Sequence, residues 1–467
     1  MTERILLRTV FWGFVAIVVL APLPYGAAHL WSYSLLALIV AILVALWALA
    51  AFLGPGAYAT PAAHTWYLAA LVVPVLAWMG LQACPAVPAA LVHPLWTDTR
   101  AALGDAVAGT ISLDPDATLI GLMRIASYAG VFWLAVQTCR DGRRAYIALW
   151  AFAAAGLGYA VYGLWVFLSG SDTILFAEKW AYQLSLTSTF VNRNHYALYA
   201  GFGLIASFGL MLRYARRDAS GALDSPFGIF YALENLSLPV FVLFVNCAVI
   251  GTALLMTQSR GGLAFAAIGL VSVIVMMSGG RGEETGMRKR SLLFLLVGLV
   301  VAGIMLVAIS GDLFLQRIMS NPGAGARDAI HDLTMDAIAA APLTGHGIGT
   351  FPSIFHLFRD ETFPAISPAF SAAHSVYLEF AAEAGLVAAA LYFTAIGLVI
   401  FNCLLGPWRR RRHIVFPAVA GGCGILTALH SIYDFGPQIP GAAIIFAALL
   451  GIGYAHAWPT DENGEPD

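Results

Sequence analysis

Three short stretches set arginine or histidine among small and polar residues at the mouths of apolar runs. In TSTFVNRNHYALYAGF (187–202), Arg193 stands between Asn192, Asn194 and His195. In MTQSRGGLAF (256–265), Arg260 precedes Gly261 and Gly262, a pair that permits a tight turn and close approach of backbone to a ligand. The apolar run that follows starts a helix, whose free N–H groups favour an anion. In AHSVYLEFAAEAGL (373–386), His374 precedes a helical run carrying Glu379 and Glu383 four residues apart. An imidazole titrating near pH 6.5 can take a proton from a hydroxyl at neutral pH. Arginine forks bind phosphate oxygens bidentately and stay charged, so they can stabilise a departing pyrophosphate.

Each feature also has a plainer reading. Arg193 and Arg260 could be interfacial arginines reaching toward headgroups, and the two carboxylates could simply complement the positive end of a helix. Two acids so close to a membrane helix are nevertheless expensive unless used or paired. HSIYDFGPQIPG (430–441) places His430 and Asp434 one turn apart, either supporting a site or capping their own helix. Arg124 lies inside an apolar run and needs a partner. DPD (114–116) offers an acidic pair interrupted by proline, a weak metal motif, and PLTGHGIGTF (342–351) is a glycine-punctuated turn without a phosphate-loop lysine. No Walker loop or dinucleotide fingerprint is present. The five cysteines show no metal-ligand spacing and read as packing residues.

The elements that must position these residues are membrane helices. The 467-residue chain is 60% hydrophobic and 11% charged, too apolar for an ordinary soluble core. Runs long enough to cross the hydrocarbon, about 20 residues each, recur at 10–29, 31–53, 65–83, 119–138, 145–168, 196–212, 237–256, 262–278, 292–311, 376–405, 414–431 and 438–457. This predicts an all-α polytopic membrane protein of about twelve transmembrane helices. A second apolar run follows the first almost at once, which suits a helical hairpin better than a cleaved leader.

Most of the 24 lysines and arginines fall in five clusters: Arg4 and Arg8, RDGRR (140–144), RYARR (213–217), RGEETGMRKR (281–290) and RRRR (409–412). A cytoplasmic N-terminus puts all five inside, as the positive-inside rule requires. Arg193, Arg260 and His374 then lie outside, as do the longer segments 84–118, 169–195 and 312–375. The expected organisation is a bundle over 1–311, a large outside loop over 312–375, further helices over 376–459 and a cytoplasmic acidic tail over 460–467, together one structural domain. Within the large loop, Ile330, Leu333, Ala337, Ile338 and Ala341 repeat at helical spacing until Pro342. Such a helix could lie on the membrane surface or cap the bundle. The scattered basic residues point away from nucleic acid. Charges kept near helix ends argue against a flippase or transporter, which needs polar groups at mid-depth.

At FVNRNHYA, SRGG, the run from Arg327 through PLTGHGIGTF, AHSVYLEFAAEAGL and HSIYDFGPQIPG, the chain resembles the O-antigen ligase and polymerase family of bacterial membrane glycosyltransferases. PLPYGAAHLW and ISLDPDAT extend the likeness into the N-terminal third, although family members do not share the second acid of DPDAT. The resemblance implies a GT-C-type helical fold in the bacterial inner membrane. It also implies glycan transfer from an undecaprenyl-pyrophosphate-linked donor on the periplasmic side, with no metal or other cofactor. By motif, the family's two essential arginines and histidine fall on Arg193, Arg260 and His374, and Arg327 matches a donor-binding position at the start of the loop helix. Asn194, His195, Glu379, His430 and Asp434 are the candidate substrate-binding residues around them. Ligases glycosylate lipid A core, polymerases extend a repeat-unit chain and other relatives glycosylate protein. Motifs around the donor do not separate these, and a ligase-like activity is the first expectation, repeat-unit polymerisation the alternative.

Overall fold

The computed structural model describes residues 2–54, 62–103, 108–218, 237–278, 322–359, 370–410 and 412–458. They are mainly helical, and the β structure among them is a two-stranded antiparallel hairpin, β1 (Thr173–Ile174) and β2 (Ala177–Glu178). Among the described residues, seven helices are long and apolar enough to cross a membrane: α2 (Leu30–Leu53), α5 (Pro115–Thr138), α6 (Gly142–Leu168), α7 (Arg193–Asp218), α8 (Leu238–Met256), α9 (Arg260–Ser278) and α13 (Leu386–Arg409). Three apolar helices are shorter: α3 (Trp66–Gln82), α14 (Val415–His430) and α15 (Pro440–Ala455). The remaining helices are α1 (Thr2–Leu20), α4 (Leu95–Leu103), α10 (Pro322–Ala340), α11 (Phe351–Phe358) and α12 (Val376–Ala384). The apolar run at 292–311 and the acidic tail lie outside the described residues.

Two expected spans have different boundaries. The first helix starts at Thr2 and stops at Leu20, because Pro22 and Pro24 follow and proline cannot donate to a continuing helix. The run 376–405 is two helices, broken at Gly385, whose φ of 83° is left-handed. A Cβ there would lie 2.3 Å from the Leu343 carbonyl oxygen, so the break is also a close backbone crossing.

Helix α7 is the centre of the bundle. Its apolar window is 78% buried, against 33% for α2, α5, α6, α8 and α13, so protein surrounds it where lipid can reach the others. It packs against α6, α8, α9 and α14. Small residues let these helices approach closely: a Cβ on Gly269 of α9 would meet the Gly422 carbonyl oxygen of α14 at 2.9 Å.

Helix α10 buries Ile330, Leu333, Ala337 and Ile338 and exposes Asp328, Asp332 and Asp336. Its apolar face packs on Phe351 and Phe355 of α11, on Ala373 and on Phe380 of α12. The apolar face of this helix is thus used in packing against protein. PLTGHGIGTF is the clamp beneath it. Gly345, Gly347 and Gly349 all have positive φ, and a Cβ on Gly345 would lie 2.2 Å from the Glu383 carbonyl oxygen. The His346 and Gly347 N–H groups donate to the Ala382 and Glu383 carbonyls, fastening the turn to the end of α12.

Candidate active site

Helices α7 and α9 begin side by side. Asn192 caps α7, its Oδ1 accepting from the Asn194 N–H at 2.8 Å, and Ser259 caps α9, its Oγ accepting from the Gly262 N–H at 3.3 Å. A Cβ on Gly262 would sit 2.6 Å from the Ala197 Cβ, so glycine allows the two helix starts to touch. The preceding loops are stitched together as well: the Leu186 N–H donates to the Met256 carbonyl and the Gln258 side-chain amide to the Leu184 carbonyl. Arg193 and Arg260 are therefore the first residues of adjacent helices, both half-buried. Arg193 donates to the Ser185 hydroxyl at 3.3 Å and lies over the Tyr182 ring. A cation at a helix N-terminus faces the positive end of the dipole. Two of them on neighbouring helices, with free N–H groups beside them, make a place where an anion is stabilised.

His374 stands in the loop before α12 with φ of 56°, a left-handed conformation uncommon outside glycine. Three contacts hold that loop. Glu379 is buried and its Oε2 accepts from the Ala373 N–H at 2.7 Å. The Val376 N–H donates to the Ser431 carbonyl, and the Tyr377 hydroxyl donates to the Ala428 carbonyl. The loop is thus tied to the end of α14, which carries His430.

The turn after α14 completes the cluster. Asp434 is buried; its Oδ2 accepts from the Asn194 side-chain amide at 2.6 Å, and its Oδ1 accepts from the Phe435 N–H and lies 3.3 Å from His195 Nε2. Burial works to raise the Asp434 carboxyl, but His195, His430 and the Asn194 amide outweigh it and hold the group well below the usual carboxylate range. Phe435 is a wedge between two imidazoles, edge-on to His195 at 4.6 Å and to His374 at 5.3 Å between ring centroids. Phe265 of α9 in turn meets the His430 ring at 6.3 Å. Asn194, His195, His374, His430 and Asp434 are thus one assembly, braced by Glu379. Phe435 escaped sequence reading, and its one signal was an aromatic residue directly after Asp434.

Other singled-out residues have identifiable places. Arg124 hydrogen-bonds the Gln438 carbonyl and the Tyr128 hydroxyl and lies over Tyr33, so its partner is the turn leading into α15. Asp114 caps α5, accepting from the Ala117 N–H at 3.0 Å. Among the described residues no three His, Cys, Asp or Glu side chains group as metal ligands. Arg327 lies on α10, with its side chain outside the described residues.

Residues 245–393, from α8 into α13, match a family model described as O-antigen ligase. No curated protein matches the chain. The match takes in Arg260, Arg327, His374 and Glu379 and leaves Arg193, Asn194, His195, His430 and Asp434 on either side. In residues 245–393, then, the chain carries an O-antigen ligase family domain.

Proposed function

We propose that the protein is a periplasm-facing, metal-independent glycosyltransferase of the bacterial inner membrane that moves a glycan from undecaprenyl pyrophosphate to an acceptor hydroxyl, in the manner of an O-antigen ligase. The observation that carries this reading is the pair of arginines opening two touching helices, with a loop-held histidine joined to the first of them through Asn194, Asp434 and Phe435. In this scheme Arg193 and Arg260 engage the donor pyrophosphate, with Arg327 as a further donor contact. His374 takes the proton of the acceptor hydroxyl as its oxygen bonds to the anomeric carbon. The bond from that carbon to the pyrophosphate oxygen breaks, and undecaprenyl pyrophosphate leaves with the electron pair, its charge held by the arginines. Asn194, His195, His430 and Asp434 shape the floor of the site, while Glu379 fixes the loop.

The wider organisation follows the same proposal: about twelve spans in a GT-C-type arrangement, both termini cytoplasmic, and the 312–375 loop covering the periplasmic end. The acceptor is lipid A core for a ligase and a growing repeat-unit chain for a polymerase.

Replacing Arg193, Arg260 or His374 by alanine in a complemented deletion strain tests the scheme. Each should lower glycan transfer by roughly 100-fold or more while the protein still inserts in the membrane. Wild-type surface glycan in all three variants would overturn it. The deletion strain separates the acceptors, since a ligase defect strips every chain from lipid A and a polymerase defect leaves single repeat units.

A further inference from the structure

At the opposite end of α7 from Arg193, α6 and α7 flank an open cavity of about 550 Å³ lined by Arg143, Arg213 and Arg217 and by Tyr146, Trp150 and Tyr214. Among the described residues no acidic side chain lines it; nearby Asp141 instead caps α6, accepting from the Arg143 N–H at 3.0 Å. Arg213 is held in place before any ligand arrives. Its guanidinium lies 4.0 Å from the Tyr146 ring centroid and 5.0 Å from that of Tyr214. The Trp150 indole N–H donates to the Tyr214 hydroxyl at 3.4 Å, fixing the wall opposite. Arg193 and Arg213 are separated along the helix by about 30 Å, the thickness of the hydrocarbon layer, so the cavity opens at the other membrane interface.

Cations braced on aromatic rings at that depth have a specific use. Aromatic residues favour the headgroup level, and arginine forks match phosphate oxygens. Arg140, Arg410 and Arg412 lie at the same end of the bundle and strengthen the positive field. From these features we infer that the α6–α7 cavity binds the headgroup phosphate of an anionic phospholipid, with Arg213 as the central ligand, Arg143 and Arg217 at the rim and Trp150 against the glycerol and upper acyl chain.

The test is native mass spectrometry of the full-length protein in detergent, titrated with phosphatidylglycerol, phosphatidylcholine or inorganic phosphate. Phosphatidylglycerol should be retained in preference to phosphatidylcholine. Arg213→Ala or Arg217→Ala should each weaken its apparent Kd about fivefold, as expected for one arginine near a charged headgroup, and the double variant further. Arg409→Ala, at the same end but outside the cavity, should leave retention unchanged. Arg217 is exposed, so its variant reports on binding even if Arg213→Ala fails to fold. Equal retention of the two lipids, an unchanged Kd in the Arg217 variant, or displacement of phosphatidylglycerol by inorganic phosphate would each overturn the inference.

Discussion

The two ends of the bundle handle arginine in opposite ways. At the end carrying RDGRR and RYARR, arginines finish helices or rest on rings. Arg216 hydrogen-bonds the Met277 carbonyl at the close of α9, Arg140 does the same to Ala455 at the close of α15, and Arg409 lies over Trp458. There Arg216 and Arg140 meet the negative ends of helix dipoles, and Arg409 meets an aromatic face. At the other end Arg193 and Arg260 open helices, where the dipole repels them, and the nearby carboxylates are turned elsewhere. Asp434 serves Asn194 and His195, and Glu379 serves the Ala373 N–H. Arg216 and Arg140 close helices at one end, whereas Arg193 and Arg260 stand at the other where the dipole favours an anion, and this difference of place marks the candidate catalytic end.

The comparison is most exposed at Asp434. Asp434→Ala should strand the Asn194 amide, His195 and the Phe435 N–H in a buried pocket and cost about 3 kcal/mol, read as a lowered unfolding temperature in detergent. Arg217→Ala, exposed at the basic end, should cost less than about 0.5 kcal/mol. Equal losses would mean that the two ends are not built differently. Because the Asp434 carboxyl is held low, its contribution is present above the ordinary carboxylate range and lost only as pH falls well below it. The Asp434→Ala penalty should therefore be flat from neutral pH down to about pH 5.

A smaller effect is expected at Glu379, the positioning residue for His374. Glu379→Ala removes the acceptor of the Ala373 N–H and should cost about 1–2 kcal/mol while lowering turnover more than donor affinity. Glu379→Gln retains an oxygen acceptor and should restore most of the lost turnover. If the glutamine variant is as impaired as the alanine one, the carboxylate acts on substrate directly and Glu379 is not simply a brace.

Composition alone made the helices legible, and SRGG and AHSVYLEF stood out because charge beside a membrane run is costly. What could not be read is where those charges find partners. Asp434 meets Asn194 across 240 residues of sequence, whereas spacing along the chain shows only His430, one turn away. Arg124 is matched to a backbone carbonyl at Gln438, and a carbonyl carries no sequence signal. The break at Gly385 was hidden for a related reason. An apolar run reads as continuous unless the strand of backbone crossing it is known, and here that strand is the turn at 342–345. Periodicity reports on one helix and the lipid or protein around it, whereas the site is made of crossings.

The smallest predicted effect compares histidines at the two ends. Near the candidate site, the Leu95 N–H donates to His93 Nδ1, so the His93 proton sits on Nε2 and is given to His346 Nδ1 at 3.1 Å; His346 Nε2–H then donates to the Ala337 carbonyl at 2.9 Å. Adding a proton to either ring would set two donors face to face. Burial, followed by the neighbouring His346, pushes His93 down to about 4, and burial lowers His346 despite its bond to Ala337. At the basic end, burial lowers His413 too, but Arg410, Arg213 and Arg412 add to it. All three imidazoles are depressed, so each favours the fold fully above about pH 6.5 and loses that contribution as pH falls toward its folded value. Thermal unfolding between pH 7.5 and pH 5 should show the loss, by less than about 1 kcal/mol per group after allowing for partial exposure. Salt should tell the ends apart. In 1 M NaCl, where screening acts within about 3 Å, the part removed by His413→Ala should shrink, while the part removed by His93→Ala, set by burial and a fixed chain of hydrogen bonds, should persist. If both parts shrink together, charge rather than hydrogen-bond geometry governs the two ends alike.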